Sequence, residues 1–247
     1  SYVYGLGLTL DDGTPLTSAN LKDAIIGLME DEITESITEI GSEQMLADID
    51  AASKNEKDGA GARDWLVLND DGTFTYDFAK HLNWVASNKA LKVVCAFSNK
   101  GLPWAATNED SLFGTTAYEY SAFEPYSWDH DAVADNGCGL DDTGLTWDEF
   151  MATEEGQFLA LQMRMSNTIE YLNDKEGDDA GIKAPYWYVR YGMNDRDSSF
   201  ALETILRYSI YNNEDIKEKS FEFAWLKMHA GDYDVTEAYS WLDGVLG

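Results

Sequence analysis

Two cysteines, four prolines and seventeen basic residues are what this 247-residue chain has little of, and most of these shortages exclude something. Two cysteines, Cys95 in the apolar run Leu91–Phe97 and Cys138 in a Gly-rich loop, do not make a disulfide framework and read as a buried thiol and a loop thiol. Seventeen bases against forty-six acids give a formal net charge of −29, so nucleic acid and anionic membrane surfaces are repelled as partners. No apolar run approaches the ~20 residues of a membrane-spanning helix. The acids Asp129, Asp131, Asp135, Asp141 and Asp142 lack EF-hand spacing and read as a solvated loop, with calcium left open. No cofactor or metal is expected. The chain also has no G-x-S-x-G, the strained turn on which a serine hydrolase mounts its nucleophile.

What is present concentrates near the carboxyl end. Trp187, Val189 and Tyr191 alternate with Tyr188 and Arg190, the period of a strand, and the run stops at Gly192 in a polar loop. Asp195 therefore falls just past the carboxyl end of a strand, where open α/β sheets carry their active-site acids. Leu202, Ile205, Leu206 and Ile210 then repeat at helical spacing, and Phe221 to Trp225 alternates as a second strand ending shortly before His229. One helix and one strand separate Asp195 from His229, which fits the order of acid and base in α/β hydrolases. After Gly231 the run Asp234-Val-Thr-Glu237 has a capping-box pattern, with Val235, Ala238, Tyr239 and Leu242 as the apolar stripe of a closing helix.

The first 172 residues do not read as repeated strand–helix units. A helix starts at Thr17 or Ser18, carries Leu21, Ile25, Leu28, Met29, Ile33 and Ile37 on one side, and ends near Gly41. A second runs from Glu43 to about Ala52, followed by a polar connection from Ser53 to Arg63. Residues 65–68 and 73–76 flank Asn69–Gly72, which has hairpin chemistry, although a loop leading into a helix at Asp77 is equally consistent. His81 lies on that amphipathic helix and reads as exposed or partly buried. Leu91 to Phe97 is strand-like. Ser98 to Leu145 is long and aperiodic and reads as pocket wall. Its Trp104, Tyr118, Tyr120, Tyr126 and Trp128 could stack on a ring or pack the loop. Thr146 to Glu149 caps a helix with Phe158, Leu161, Met165, Ile169 and Leu172 on one face.

Three segments resemble the tannase and feruloyl-esterase-like branch of the α/β hydrolases, the bacterial tannase type in particular. They are Arg190 to Ser199 with its Gly and Asp195-x-Asp197 pair, His229 to Asp234, and Ala96 to Gly101 with Asn108 to Gly114. The resemblance implies an α/β fold: the carboxyl-terminal strands and helices of a hydrolase sheet at 173–247, preceded by a large, mostly helical cap at 1–172. It also implies roles: Asp195 orients His229, His229 is general base and acid, and Asp197, Lys100 and Glu109 bind phenolic hydroxyls. The implied activity is that of a serine carboxylic-ester hydrolase on galloyl or hydroxycinnamoyl esters.

The absent nucleophile departs from that pattern. The chain starts at Ser1 with no Met, charged leader or apolar signal segment, so it reads as the carboxyl-terminal piece of a longer polypeptide, separated by proteolytic processing or a break in the cap. A companion chain is expected to supply the Ser and the oxyanion hole, leaving this chain inert alone. The location leans to extracytoplasmic or secreted. Every residue also has a plainer reading: an Asp-x-Asp before a helix is a common capping and dipole arrangement, and Lys100 and Glu109 would serve equally as a solvated loop pair. Two other functions stay open. One is a noncatalytic binding or scaffold chain of hydrolase ancestry; the other is an amino-terminal nucleophile at Ser1.

Overall fold

The computed structural model describes residues 5–53, 63–69, 71–88, 113–114, 119–120, 124–130, 135, 137–173, 182–229 and 231–247. These fall into two packed units, one drawn from residues 1–91 and 172–247 and the other from 92–171. That division differs from a cap of 1–172. The apolar side of the first helix is covered by the carboxyl-terminal strands, so the chain's two ends share one core.

In the first unit, α1 (Leu21–Glu39) buries Ile25, Met29 and Ile33 along the side expected from their spacing. It is followed directly by α2 (Gly41–Ala52), which buries Met45 and Ile49. Strands β1 (Leu66–Leu68) and β2 (Phe74–Tyr76) form an antiparallel hairpin. Its turn is closed by the Asn69 and Thr73 main chains at 2.9 Å and by Gly72 at φ +82°. Asp77 then accepts from the Lys80 backbone N–H at 3.0 Å and starts α3 (Phe78–Asn88). Hairpin and helix are both present, which resolves the two readings of this stretch.

The sheet of this unit is β5 (Tyr186–Gly192) and β6 (Glu218–Ala224), parallel and in register from Tyr186 opposite Glu218 to Gly192 opposite Ala224. The connection between them is α9 (Phe200–Tyr211), giving the strand–helix–strand unit that the periodicities predict. One sheet face, Val189, Tyr191, Phe221 and Phe223, packs into a core with Ile25, Met29, Trp65, Trp84 and Phe200. At about 25 cal/mol per Å² of apolar surface, this cluster is the main adhesive of the unit.

Among its described residues the second unit holds β3 (Phe113–Gly114) and β4 (Glu119–Tyr120), antiparallel, the short helices α4 (Pro125–Asp129), α5 (Gly139–Thr143) and α6 (Trp147–Met151), and the longer α7 (Glu154–Ser166). Trp128, Cys138, Phe150 and Leu159 form its core, with Trp128 stacked 4.0 Å from Phe150. Cys138 sits in the loop before α5 as expected but is buried there, and Trp128 packs the unit. The Thr146–Glu149 capping box is present, but it opens a helix of only five residues. Thr153 caps α7 afresh by accepting from the Gly156 N–H at 3.1 Å. Phe158, Leu161 and Met165, expected along a buried face, are exposed. Helix α8 (Thr168–Asn173) runs across the boundary at residue 171 and precedes β5, and α10 (Val235–Leu246) closes the chain.

Two further expectations change. His81 is fully buried, because α3 lies with its aromatic side on Trp65 and Phe200. The Asp234–Glu237 box does not form: Asp234 is left-handed at φ +58° and makes no side-chain cap. Glu237 is taken instead by Arg190 at 2.6 Å. No described helix is long and apolar enough to cross a membrane.

Where α1 passes the end of β6, the Glu32 carboxyl bonds the Ser36 hydroxyl and the Trp225 backbone; burial is the main cause that raises its pKa from 4.5 to about 8. A raised acid favours the fold while protonated, so this contribution is complete below pH 4.5 and lost as pH rises through about 8. Glu32→Gln, which imitates the protonated acid, should match the parent at low pH and exceed its unfolding free energy by about 1 kcal/mol or more at high pH. Urea titrations of both chains across this range would show the gap opening; a gap that does not change with pH would contradict the burial.

Candidate active site

Two main chains must converge for Asp195 to reach His229, and Gly192 permits it. A Cβ at Gly192 would stand 2.0 Å from the Lys227 carbonyl oxygen and 2.4 Å from its carbon, so the end of β5 rests directly on the segment leading to His229. Backbone bonds then stitch the two together: Met193 N–H donates to Ala224 and Asn194 N–H to Lys227, both at 3.0 Å. The Asp195 N–H turns back to the Gly192 carbonyl at 3.0 Å.

This turn buries Asp195, whose side chain is 2% exposed, and places its Oδ2 3.0 Å from His229 Nδ1. Asp195 Oδ1 accepts from the backbone N–H groups of Asp197 at 2.7 Å and Ser198 at 3.4 Å. A buried carboxylate needs such donors, since charge out of water is costly unless bonded. It follows that the proton between the two side chains sits on Nδ1, leaving Nε2 of the neutral ring as an acceptor. The ring is 52% exposed, and Nδ1 carries its bonds within the described residues.

Three neighbours escaped the sequence reading as parts of the site. Ser198 Oγ lies 3.3 Å from His229 Nδ1; it shares the nitrogen already used by Asp195, so it stands beside the acid and not in the nucleophile's place. Tyr191 is buried under Asp195, and burial first, then the Asp195 charge, raises its phenol and keeps it protonated. Glu203 on α9 has its pKa raised by burial and then by Asp195. Alternation placed Tyr191 on a strand, but no local pattern says what a strand residue faces. Arg190, 7% exposed, pairs with Glu222 at 2.9 Å and Glu237 at 2.6 Å. It thereby ties both strands to α10, the helix that follows the His229 loop.

Asp197 lies beside the pair with its carboxylate 3.3 Å from Arg196. Asp195, Asp197 and His229 present ligand atoms within 4.8 Å of one another and are the set that could hold a metal ion among the described residues. An open groove of ≈ 680 Å³ runs from His229 along α10, lined by Tyr186, Tyr188, Tyr233, Tyr239 and Trp241. Lys100 and Glu109 lie outside the described residues, as do Cys95, Trp104 and Tyr118. Tyr126, one of the expected ring-stacking residues, stacks on His130 at 4.2 Å.

The chain is similar to a crystal structure of tannase from Lactobacillus plantarum, with a TM-score of 0.64 and 22% identity over 99% of this chain and 43% of that one. It has the fold of part of a tannase. A mercury derivative of tannin acyl hydrolase matches alike, TM-score 0.64 and 22% identity over 99% of this chain and 44% of that one. An orthorhombic crystal of the Lactobacillus plantarum tannase matches over the whole of this chain at 21% identity and a TM-score of 0.64. This chain thus spans less than half the length of those it matches. No protein-family model and no curated protein sequence matches it.

The close passage at Gly192 predicts that Gly192→Ala destabilises the chain by about 3 kcal/mol, since the obstacle is main chain and cannot rotate away. Chemical denaturation measures this; a change within ~0.5 kcal/mol, the usual range of neutral substitutions, would contradict it.

Proposed function

We propose that this chain supplies the acid and base of a serine carboxylic-ester hydrolase acting on phenolic esters, galloyl or hydroxycinnamoyl, with a companion chain supplying the Ser and the oxyanion hole. The observation that carries the reading is the 3.0 Å contact between buried Asp195 and the half-exposed ring of His229. A buried acid that fixes the tautomer of an open imidazole is the orienting half of a triad.

In this reading His229 Nε2 takes the proton of the Ser hydroxyl as its oxygen attacks the ester carbonyl, and the Asp195 carboxylate stabilises the imidazolium. The proton passes to the leaving alcohol as the C–O bond breaks. Water then adds to the acyl-Ser by the same route and releases the phenolic acid. Asp197, Lys100 and Glu109 meet the ring hydroxyls: carboxylates accept from phenolic O–H groups and the ammonium donates to their oxygens. A ring without those hydroxyls leaves the polar groups unpaired and is rejected. Lys100 and Glu109 belong to the cap segment of this proposal. The likeness in fold to tannase structures supports it.

A second reading, a noncatalytic scaffold of hydrolase ancestry, is favoured by the lack of G-x-S-x-G in the sequence. Sequencing the protein that copurifies with this chain and assaying the assembly on methyl gallate, methyl ferulate and an aliphatic ester separates the two. The esterase reading expects a companion with G-x-S-x-G and turnover of a phenolic ester above the aliphatic one. His229→Ala should lower kcat by about 10³-fold or more, while Asp197→Ala chiefly raises KM. Full turnover without His229 would overturn the assignment.

A further inference from the structure

Strand β5 has an open side. Among the described residues it pairs with β6 alone. The Met193 N–H donates to the Ala224 carbonyl at 3.0 Å, and main-chain groups alternate in direction along a strand, so those of Val189 and Tyr191 also turn to β6. Those of Tyr188 and Arg190 turn the other way, to the open edge.

The two strands differ in how they are built for an edge. Natural edge strands carry charges or Pro that discourage further pairing. Strand β6 has such charges in Glu218, Lys219 and Glu222. Strand β5 reads Tyr-Trp-Tyr-Val-Arg-Tyr-Gly, rich in strand formers and without Pro. Its one charge, Arg190, is folded inward onto Glu222 and Glu237. The sheet face toward α10 has the same asymmetry, because Tyr186 and Tyr188 on β5 stand opposite Glu218 and Ser220 on β6. Parallel strands are as a rule buried on both faces, yet this one borders the open groove of ≈ 680 Å³ along α10. Helix α10 itself buries no residue. Its Val235, Tyr239, Leu242 and Leu246 are exposed and lie at helical spacing as one apolar stripe.

Three constraints select the occupant. Open N–H and C=O groups are satisfied by another main chain, which a small phenolic ester does not supply. A second copy is disfavoured, since each carries a formal charge of −29 and the two repel. The chain covers 43% of a tannase that it resembles in fold, so that structure contains more polypeptide than this chain does. Direction follows from the site. Asp195 and His229 lie beyond the carboxyl ends of β5 and β6, and a hydrolase Ser follows the carboxyl end of its own strand, so a strand bringing the Ser to this edge runs parallel to β5.

We propose that the open edge of β5 seats a strand of the polypeptide that carries the Ser, parallel to Tyr186–Gly192, with its apolar side chains entering the groove between Tyr188 and α10. The identity of this partner rests on the proposed esterase function. The openness of the edge does not.

Hydrogen exchange of the 15N-labelled chain, alone at two concentrations and then assembled with the polypeptide that copurifies, reads the edge amide by amide. Alone, the amides of Tyr188 and Arg190 should exchange about a hundredfold faster or more than those of Val189 and Tyr191. Equal protection of all four would mean that the edge is already covered, and protection that grows with concentration would assign it to a second copy; either overturns the proposal. On assembly, the amides of Tyr188 and Arg190 should slow to the rate of Val189. Tyr188→Pro deletes an outward N–H and keeps the ladder to β6, so it should weaken assembly about tenfold or more. Tyr188→Ala, which keeps the amide, should weaken it less; equal losses would overturn main-chain pairing. Should Tyr188→Pro fail to fold, the exchange of the parent decides. An assembly that hydrolyses phenolic esters while both amides stay open would overturn the docking and leave the esterase reading standing. Protected amides in an assembly that hydrolyses no ester would have the reverse meaning, and a chain that purifies with no companion would overturn both.

Discussion

The site depends on the passage of two backbones within the space of a missing side chain. At Gly192 the end of β5 lies on the Lys227 carbonyl, and everything that brings Asp195 to His229 follows from it. The strand end fixes the Met193 and Asn194 bonds to the far side. Those bonds fix the turn, and the turn buries the carboxylate under the ring. Parallel pairing of β5 with β6 supplies the frame, because it puts both strand ends at the same edge of the sheet. An antiparallel pair would have carried acid and base to opposite ends.

A chain with seventeen bases and a net charge of −29 has few cations to spend on its surface, and several serve as internal struts. Arg190 joins β5 to β6 and α10. Arg207 holds Asp11 through both its terminal nitrogens, at 3.1 and 2.8 Å, and its guanidinium lies over Tyr208 and Tyr211. Lys219 donates to the carbonyls of Tyr211 and Asn213 at 3.0 and 2.9 Å. In the arginine ion pairs the guanidinium is buried while the carboxylate stays exposed, so solvent screens the attraction and the arginines serve mainly to hold elements in place. The remaining acids are mostly exposed and keep the surface hydrated.

Local chemistry was legible. The strand–helix–strand run from Tyr186 to Ala224, the 65–76 hairpin, the long apolar side of α1 and the Thr146–Glu149 capping box each depend on neighbours within a few residues, and each forms. The approach of Asp195 to His229 could be anticipated because one helix and one strand lie between them. Failures came where distant groups compete. Glu237 leaves its capping box for Arg190, forty-seven residues away. His81 is exposed by its helix pattern and buried by Trp65 and Phe200. Phe158, Leu161 and Met165 lie at helical spacing, yet α7 leaves them exposed. Sharing of one core by residues near 25 and near 223 carries no local signature at all. Lys100 and Glu109 rested on resemblance alone.

The account stands on Asp195 holding the proton of His229 at Nδ1, with Nε2 left open to receive another. Free histidine in water prefers its proton on the other nitrogen, so the state of this ring reports the contact directly. The decisive comparison is the 15N tautomer of neutral His229 in the parent chain and in Asp195→Asn. The parent should show the proton on Nδ1, and the Asn variant should lose that preference. A parent ring protonated on Nε2, or one indifferent to the substitution, would mean that this carboxylate does not orient the imidazole.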